Sequence, residues 1–490
     1  MTFTIESLGC AKNQVDSEEI IAHLERAGLQ WVAEPERAEA VIVNTCGFIT
    51  SAKEESIRTA LELKSRFPGK KILLAGCLVA RYGEELTRAL GELDGFVGLR
   101  DPQGLERLLQ AGSASPASSG LPWPASLPGF TPASLPGCTP PVPPASALPA
   151  LRPSRHLLSY PGSAYLKIAE GCGNHCSYCA IPLIRGPLAS RPRAQVVQEA
   201  RDLLGAGVRE LVLIAQDLAS YGKDRAAEGG VAGAQPGREV GQGGPREASH
   251  GGPPDRSAGG GLPVLLRELL ALPGEFWLRC LYIHPDHFPE ELLELAATDP
   301  RLLPYFDLPF QHASPAVLRR MGRRGSTEAY LALLARIREA LPRAVLRSTF
   351  LVGFPGESEQ DFRLLLDFQR RAELDWAGFF TYSREEGTAA FALGPRVAHR
   401  TAEERKRELE RAQQAITARR LERHIGSELD VLIEEPVRGE ALALGRGYLQ
   451  APEVDGLVVV KAAGLEAGRM CRVRIDRRNG VDLEGSLVSR

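Results

Sequence analysis

The chain has 490 residues, more than one compact domain usually contains, and a typical length of about 150 residues per domain predicts two to four domains. Its 59 lysines and arginines against 61 aspartates and glutamates leave a net charge of -2, which excludes a general attraction to nucleic acid or to an anionic membrane. The first residues lack a basic region followed by an apolar run, and no apolar stretch of about 18 residues occurs. We therefore predict a cytoplasmic protein.

The amino-terminal part alternates short apolar runs with segments of helical length. The runs TFTIESLG, AVIVNTC, KILLAGC and DGFVGL are typical of buried strands. Strands that alternate with helices predict a parallel α/β domain over residues 1–112. Because 11 of the 36 prolines lie within residues 113–150, we predict an extended linker over residues 113–155.

Residues 156–398 resume the alternation with six strand-like runs, each followed by a helix-compatible segment. Six such units predict a partial (β/α)6 barrel, still of the α/β class, instead of a closed eight-unit barrel. An insert at 224–261 contains 12 glycines and no aromatic residue, so we expect it to be disordered. The charged residues 399–424 predict one connecting helix. The short β-like runs of residues 425–490 predict a small antiparallel barrel.

Nine cysteines require an explanation, because a large chain in a reducing compartment seldom stores them as disulfides. Cys172, Cys176 and Cys179 form C-x3-C-x2-C in the segment GCGNHCSYC, at the end of the first barrel strand. Soft thiolates this close together can bind one iron–sulfur cluster, and three thiolates on a four-iron cluster leave one iron open to an outside ligand. The alternative is a four-ligand zinc site completed by His175 or His156.

Three further cysteines follow the first three predicted strands. Cys10, Cys46 and Cys77 each stand where a strand ends, about one βαβ unit apart. The carboxyl ends of parallel strands lie on one edge of a sheet, so these thiols should converge in space. We interpret them as a second three-thiolate cluster site. The alternative is three buried structural cysteines that pack as small apolar residues.

The loop around Tyr178 resembles that of the radical S-adenosylmethionine superfamily, whose members carry C-x3-C-x-aromatic-C. The resemblance implies that the open iron binds the amino and carboxylate groups of S-adenosylmethionine, which the reduced cluster cleaves to a deoxyadenosyl radical. It also implies cofactor contacts at three strand ends. These lie near the backbone of Tyr178, at Gln216 and Asp217, and along the turn of Gly353, Pro355 and Gly356 in VGFPGE. No catalytic residue is assigned.

From end to end, the chain resembles the methylthiotransferase family, whose members combine two three-cysteine sites, a radical barrel and a small TRAM-like terminal barrel. SLGCAKNQVDSE (7–18), DLPFQHAS (307–314) and YSREEGT (382–388) resemble the branch that modifies an aspartate of ribosomal protein S-twelve. Gln14 departs from that branch, which usually has leucine there. The alternatives are the tRNA methylthiotransferase branch, which acts on a modified adenosine, and a non-catalytic metal-binding module.

The family resemblance also implies the cofactors and partners. These are two four-iron clusters, S-adenosylmethionine as both methyl donor and radical source, and a one-electron donor such as flavodoxin or ferredoxin. The β-carbon of aspartate carries an unactivated C–H bond, so the cofactor must supply radical chemistry. We expect a monomer that does not bind membranes.

The terminal domain and a few scattered residues complete the predictions. Residues 425–490 have a net charge of -2 from 9 basic and 11 acidic residues, so RNA binding is not expected there. His284 and His287 have a spacing compatible with a metal site, although satisfied polar residues are common at strand ends. His312 either faces the substrate or makes a structural hydrogen bond. We attribute the last three cysteines to the linker and to core packing: Cys138, Cys280 and Cys471.

Overall fold

The computed structural model describes residues 1–111, 155–225 and 261–488. The predicted linker, the predicted glycine-rich insert and Cys138 lie almost entirely outside these residues. Three main sheets and one two-stranded ribbon are present in the described part of the chain. No helix in these ranges is both long and apolar enough to cross a bilayer.

The amino-terminal part is a five-stranded parallel sheet with helices. The strands are β1 Thr2–Ser7, β2 Gln30–Trp31, β3 Ala40–Thr45, β4 Lys71–Gly76 and β5 Gly95–Val97. The helices are α1 Ala11–Arg26, α2 Thr50–Arg66, α3 Cys77–Ala89 and α4 Pro102–Gln110. The spatial order is β2-β1-β3-β4-β5, and every pairing is parallel, which confirms the predicted fold class. Every residue of β3 is buried, as expected for a sheet covered on both faces.

The central part is a six-stranded sheet that also contains only parallel pairings. Strands in this part are β6 Ser163–Lys167, β7 Ala169–Glu170, β8 Ala189–Ser190, β9 Glu210–Ile214, β10 Trp277–Cys280, β11 Leu302–Asp307, β12 Val345–Val352 and β13 Trp376–Thr381. Its helices are α5 Ile181–Arg185, α6 Arg193–Gly205, α7 Leu262–Leu270, α8 Glu291–Thr298, α9 Pro315–Arg320, α10 Thr327–Ala340 and α11 Glu359–Ala372. The order β13-β12-β11-β10-β9-β6 leaves β6 and β13 unpaired with each other, which confirms a partial barrel; β7 and β8 form the ribbon.

The terminal part begins with the long helix α12, His399–Glu422, and continues as a closed five-stranded barrel. Its strands are β14 Glu428–Pro436, β15 Ala443–Arg446, β16 Val458–Lys461, β17 Met470–Asn479 and β18 Asp482–Leu487. The prediction of an antiparallel barrel is wrong at one pairing, because β16 and β18 are parallel. A closed ring with an odd number of strands cannot alternate direction at every pairing, so one parallel pair is unavoidable.

The two faces of the central sheet have different coverings. Alternate residues of one strand point to opposite faces, so Leu211 and Leu213 pack against the outer helices while Val212 points inward. On the inner face, Val212 joins a cluster that contains both the terminal barrel and Ala11 and Val15 of α1. The inner face of the partial barrel is therefore enclosed by the amino-terminal helix and the terminal barrel.

A buried charge cluster fixes the terminal barrel to the central sheet. Glu210 accepts hydrogen bonds from Arg279 (2.8 Å) and Arg446 (2.6 Å), and all three side chains are buried. Arg279 also donates to the backbone oxygens of Tyr448 and Gly447 in the terminal barrel. Burial alone would raise the pKa of Glu210, but the two guanidinium groups lower it to about 2.

Candidate functional site

The first predicted cluster site is the loop that carries Cys172, Cys176 and Cys179, between β7 and α5. The loop begins at Gly171, whose φ of +66° and close approach to the Pro187 oxygen leave no room for a side chain. The backbone N–H of Cys172 donates to the Gly186 oxygen (3.2 Å), and that of Cys179 donates to the Cys176 oxygen (3.1 Å). The loop therefore closes on itself and brings its three thiols onto one short segment.

Contacts from the end of helix α9 and from the turn after β12 hold this loop in place. The backbone N–H of Ser177 donates to the Met321 oxygen (2.9 Å), and its hydroxyl donates to the Arg320 oxygen (2.7 Å). The ring of Tyr178 packs edge-on against Phe354 of the VGFPGE turn, with centroids 6.5 Å apart. Two regions of predicted cofactor contact, around Tyr178 and around Gly353, are thus adjacent in space.

The three loop thiols are half-buried and free of disulfides. Burial raises the pKa of Cys179 to about 12, and the nearby Cys176 and Cys172 add to the shift. Burial also raises the pKa of Cys172. A bound metal reverses this effect, because its positive charge favours the thiolate form. The donor set of three converging thiols fits an iron–sulfur cluster.

Gln216 and Asp217 lie beyond the end of β9, next to this loop. Asp217 is 3% exposed, and its carboxylate accepts hydrogen bonds from Asn174 of the cysteine loop (2.9 Å) and from the backbone N–H of His284 (3.1 Å). It also accepts from Ser220 and Ala219, so both oxygens are engaged within the protein. Gln216 donates to Glu170 (3.2 Å), whereas its buried side-chain oxygen has no partner in the described residues. Gln216 therefore has the free acceptor of this pair.

The VGFPGE turn follows β12, and its shape depends on Glu357. The Glu357 carboxylate accepts from the backbone N–H of Gly353 (2.6 Å) and of Phe354 (3.1 Å), and Arg405 of α12 donates to it at 2.7 Å. Gly353 and Gly356 have φ of +75° and +79°, in the region that favours glycine. Pro355 is buried between them. The turn places its backbone close to the Tyr178 loop.

The second predicted set, Cys10, Cys46 and Cys77, follows β1, β3 and β4 at one edge of the amino-terminal sheet. A Cβ atom on Gly9 would lie 2.9 Å from Cys46 Cβ, and one on Gly47 would lie 2.8 Å from the Cys77 carbonyl carbon. Both glycines therefore allow the neighbouring strand ends to approach closely. Burial raises the pKa of Cys77 to about 12, while Arg185 opposes the shift and Cys10 and Cys46 add to it. The structure thus brings the three distant cysteines together.

Arg185, in α5 of the central part, contacts this second set directly. Its guanidinium donates to Cys77 Sγ (3.2 Å), to Asn13 Oδ1 (2.6 Å) and to Asp16 (2.9 Å). The same guanidinium donates to Glu170 (2.7 Å), two residues before Cys172. Burial alone would raise the pKa of Glu170, but Arg185 and Lys167 hold it far below its usual range. One side chain therefore connects the two sets of cysteines.

A polar group on the inner face of the central sheet was not predicted from the sequence. Lys12 Nζ lies 3.2 Å from the ring centroid of Tyr282, and Tyr282 donates its backbone N–H to Asp307 (3.2 Å). Arg347 pairs with Asp307 at 3.0 Å. Burial lowers the pKa of Lys12 to about 8, with Cys10 and Asp307 among the groups that oppose the shift. The only sequence signal was that Lys12 and Asp307 stand inside two of the family motifs.

The YSREEGT motif lies at the contact between the amino-terminal and central parts. Glu385 is buried and pairs with Arg81 of α3 (2.6 Å) and Lys53 of α2 (2.9 Å). Ser383 contacts the hydroxyl of Thr50 at 3.1 Å. The motif therefore helps to hold the amino-terminal and central parts together.

The remaining candidates make internal contacts. His284 stacks on His287 with ring centroids 5.0 Å apart, and burial lowers the pKa of His284 to about 4. His312 accepts from the backbone N–H of Ser314 (2.9 Å), which is the structural hydrogen bond considered from the sequence. Its buried Nε2 has no hydrogen-bond partner in the described residues. Cys280 is buried in β10, and Cys471 is half-buried in β17.

A zinc site finds no support among the described residues. No three His, Cys, Asp or Glu side chains in these ranges are arranged to hold a single metal ion. His156, one of the two proposed zinc ligands, packs on Trp31 with ring centroids 4.1 Å apart. An iron–sulfur cluster needs a wider ligand set than a single ion, because each thiolate binds a different iron.

Family models match the chain in three places. The uncharacterized protein family UPF0004 covers residues 2–98, the Radical SAM superfamily covers residues 166–368, and the TRAM domain covers residues 425–488. The radical S-adenosylmethionine methyltransferase TsrM from Kitasatospora setae, solved with cobalamin and a [4Fe-4S] cluster, aligns with a TM-score of 0.52 over 79% of this chain and 73% of that chain. Its sequence identity of 16% shows the fold alone. These matches define a radical S-adenosylmethionine enzyme, a class whose cofactors are S-adenosylmethionine and a [4Fe-4S] cluster.

Full-length relatives narrow the class. The protein of Treponema denticola named ribosomal protein uS12 methylthiotransferase RimO is 40% identical over 98% of this chain and 99% of its own length. Proteins of the same name from Moorella thermoacetica and Carboxydothermus hydrogenoformans are 41% and 36% identical, over 96% and 100% of this chain and 95% and 100% of their own lengths. The chain belongs to the ribosomal protein uS12 methylthiotransferase family.

Proposed function

We propose that this enzyme transfers a methylthio group to the β-carbon of an aspartate in ribosomal protein uS12. The observation that carries the proposal is the pairing of two converging three-thiol sets, joined by Arg185, within a chain of this family. A protein that only cleaved S-adenosylmethionine would need one set. The second set gives the chain a place for the sulfur that is transferred.

The loop thiols Cys172, Cys176 and Cys179 would bind the cluster that the radical chemistry needs. When bound, this cluster and S-adenosylmethionine supply the radical that breaks an unactivated C–H bond. The unpartnered oxygen of Gln216 is suited to accept from the amino group of S-adenosylmethionine. Asp217 orients this strand end by engaging Asn174, and the turn of Gly353, Pro355 and Gly356 offers backbone groups to the ribose and adenine near Tyr178.

Cys10, Cys46 and Cys77 would bind the second four-iron cluster. Asn13 supports this arrangement, because its amide donates to the backbone oxygens of Leu8 (2.9 Å) and Thr45 (2.8 Å) and ties two of the three strand ends together. Arg185 keeps a positive charge beside Cys77, which favours the thiolate form that binds iron. The amino-terminal helix and the terminal barrel cover the inner face of the central sheet, whereas Cys10 is exposed and leaves the second set open to a substrate.

The rival function is modification of tRNA. The terminal barrel, which an RNA-binding role would use, has a net charge of -2 over residues 425–490 and one aromatic residue, Tyr448, which is buried. Several of its arginines are engaged in ion pairs, among them Arg446 with Glu434 (2.6 Å) and Arg477 with Glu484 (2.8 Å). These features favour the protein substrate.

Separate incubations with uS12 and with tRNA test the proposal. The reconstituted enzyme, a chemical reductant and S-adenosylmethionine are supplied to each, and the products are analysed by mass spectrometry. We expect a methylthio group on a uS12 aspartate and none on tRNA. Addition to tRNA alone would contradict the proposal.

Three further expectations belong to the same proposal. We propose that the enzyme acts in the cytoplasm, where its substrate is made, and that it works as a monomer. A flavodoxin or a ferredoxin would deliver the electrons. Replacement of the chemical reductant by each purified donor in the uS12 assay tests the last point.

A further inference from the structure

We propose that the Lys12 ammonium group binds the carboxylate of the substrate aspartate and thereby selects an acidic side chain. The inference rests on the proposed function and gives a specificity-determining role to a residue of the first family motif. Four observations support it: burial without a direct hydrogen bond or ion pair, a fixed ring beneath the ammonium group, a position next to the second cysteine set, and the chemistry of the reacting carbon.

The first observation comes from a comparison of two equally buried lysines. Lys12 and Lys167 are both 7% exposed. Lys167 lies among three carboxylates: Asp16 at 2.5 Å, Glu170 at 3.2 Å and Glu19 at 3.7 Å. Lys12 makes no hydrogen bond or ion pair within the described ranges, and its ammonium group lies over the Tyr282 ring. The charges of Cys10, Asp307 and Glu170 act on Lys12 without a direct hydrogen bond or ion pair, so an anionic ligand in contact with the ammonium group would relieve more of the cost of its burial.

The second observation is that Tyr282 holds the ammonium group in one place. Tyr282 has a φ of +66°, unusual for a residue with a side chain, and its backbone is fixed on both sides. Its N–H donates to Asp307 (3.2 Å), and its oxygen accepts from Leu218 (2.9 Å). A cation over the face of an aromatic ring gains electrostatic attraction while its N–H donors remain free for an acceptor.

The third observation is the position of Lys12. It follows Cys10 by two residues in the first turn of α1. Through Tyr282 and Leu218 it is connected to the strand end that carries Gln216 and Asp217. A carboxylate bound to Lys12 would therefore lie close to the second cysteine set and be connected, through Tyr282 and Leu218, to the proposed S-adenosylmethionine contacts.

The fourth observation is chemical. The β-carbon of aspartate is bonded directly to the carboxylate carbon, so fixing the carboxylate also fixes the C–H bond that must be broken. A neutral amide of the same shape would leave the ammonium group without its anion. An adenine base offers no carboxylate at the reacting carbon, so the same lysine would gain no such contact with the rival substrate.

A matched set of variants tests the inference by direct binding. Labelled uS12 and a uS12 variant with asparagine at the target position are titrated against the reconstituted enzyme, and fluorescence anisotropy gives each Kd. We expect the wild-type enzyme to bind the aspartate form about 10- to 100-fold more tightly. Lys12→Met should abolish that preference, and Lys12→Arg should retain part of it. Lys64→Met is the control, because Lys64 pairs with Asp94 (2.7 Å) within the amino-terminal part.

Each outcome decides a separate point. An undiminished preference in Lys12→Met would overturn the inference. Loss of iron from Lys12→Met with the preference intact would also overturn it, and would instead indicate a counter-ion to the Cys10 cluster. If wild-type enzyme fails to modify uS12 at all, the proposed function fails, whatever the variants show.

Discussion

The two cysteine sets of this enzyme are assembled in opposite ways. Cys172, Cys176 and Cys179 lie within eight residues of one loop, and local hydrogen bonds shape that loop. Cys10, Cys46 and Cys77 come from three strand ends, and only the parallel sheet brings them together. The first set depends on its own loop, whereas the second depends on the folding of a whole domain. We therefore expect damage to domain packing to affect the second set more.

Buried contacts between the amino-terminal and central domains determine how the two cysteine sets are placed relative to each other. Arg185 stands six residues after Cys179, yet its guanidinium reaches Cys77 on the other domain. Glu385 makes a second connection farther away, to Arg81 and Lys53. The relative placement of the two sets thus depends on a few buried ion pairs, which the following predictions disrupt in order of expected effect.

The largest effect is expected when either set is removed. Replacing Cys172, Cys176 and Cys179 by alanine, or Cys10, Cys46 and Cys77 by alanine, should each halve the iron content of the anaerobically reconstituted protein, because we propose that each set binds one of two four-iron clusters. Iron and sulfide analysis measures this. Cys280→Ala is the control and should leave the iron content unchanged, because Cys280 is buried in β10. Full iron content in either triple variant would contradict the two-cluster account.

The next effect concerns the connection between the sets. Arg185→Met removes one of the two cations that Asp16 and Glu170 share and leaves them with Lys167, so the free energy of unfolding of the cluster-free protein should fall by about 3 kcal/mol. Denaturant titration under reducing conditions measures this. Arg185→Lys keeps the charge but not the branched geometry and should lose less. If the free energy of unfolding changes by less than about 1 kcal/mol in Arg185→Met, the ion pairs around Arg185 contribute little to stability.

A smaller effect is expected at the second connection. Glu385→Gln should lower the free energy of unfolding by about 2 kcal/mol at neutral pH, because Arg81 and Lys53 lose their carboxylate. Glu386→Gln, at the adjacent position, serves as the control.

The difference in free energy of unfolding between wild type and Glu385→Gln should depend on pH. Burial alone would raise the pKa of Glu385, but hydrogen bonds from Ser383 and Lys53 and the charge of Arg81 lower it below its usual value of 4.5. The unfolded chain therefore binds the proton more readily, and the stabilisation is present above that value and is lost as the pH falls below it. Unfolding titrations of wild type and Glu385→Gln should converge in acid. A difference in free energy of unfolding that widens in acid would contradict the stabilising role of the Glu385 carboxylate.

The smallest effect is expected at Gln14, the residue that departs from the family pattern. Its amide donates to Ser159 (2.8 Å) and, at 3.4 Å, to Glu18. Gln14→Leu removes these partly buried hydrogen bonds and restores the usual residue, so the free energy of unfolding should change by at most about 1 kcal/mol. Thermal unfolding measures this, and a loss above about 2 kcal/mol would assign Gln14 a larger part in joining α1 to the central domain.

Much of the fold could be predicted from sequence, because buried parallel strands leave apolar runs such as AVIVNTC. In the terminal barrel, β15 and β18 were not predicted, because they are short and contain glycine and charged residues. The six cysteines were predicted from spacing and from the geometry of parallel sheets. Arg185 and Lys12 were not assigned, because their roles depend on contacts with Cys77 and Tyr282, far away in the chain.

One assay tests most directly whether the loop cysteines support radical formation and the second set supplies the transferred group. Wild-type enzyme and the Cys10, Cys46 and Cys77 to alanine variant are each incubated with uS12, S-adenosylmethionine and reductant, and both methylthiolated uS12 and 5′-deoxyadenosine are quantified. We expect the wild type to form both products and the variant to form 5′-deoxyadenosine without methylthiolated uS12. Methylthiolation by the variant would contradict the proposal that the second set supplies the transferred group.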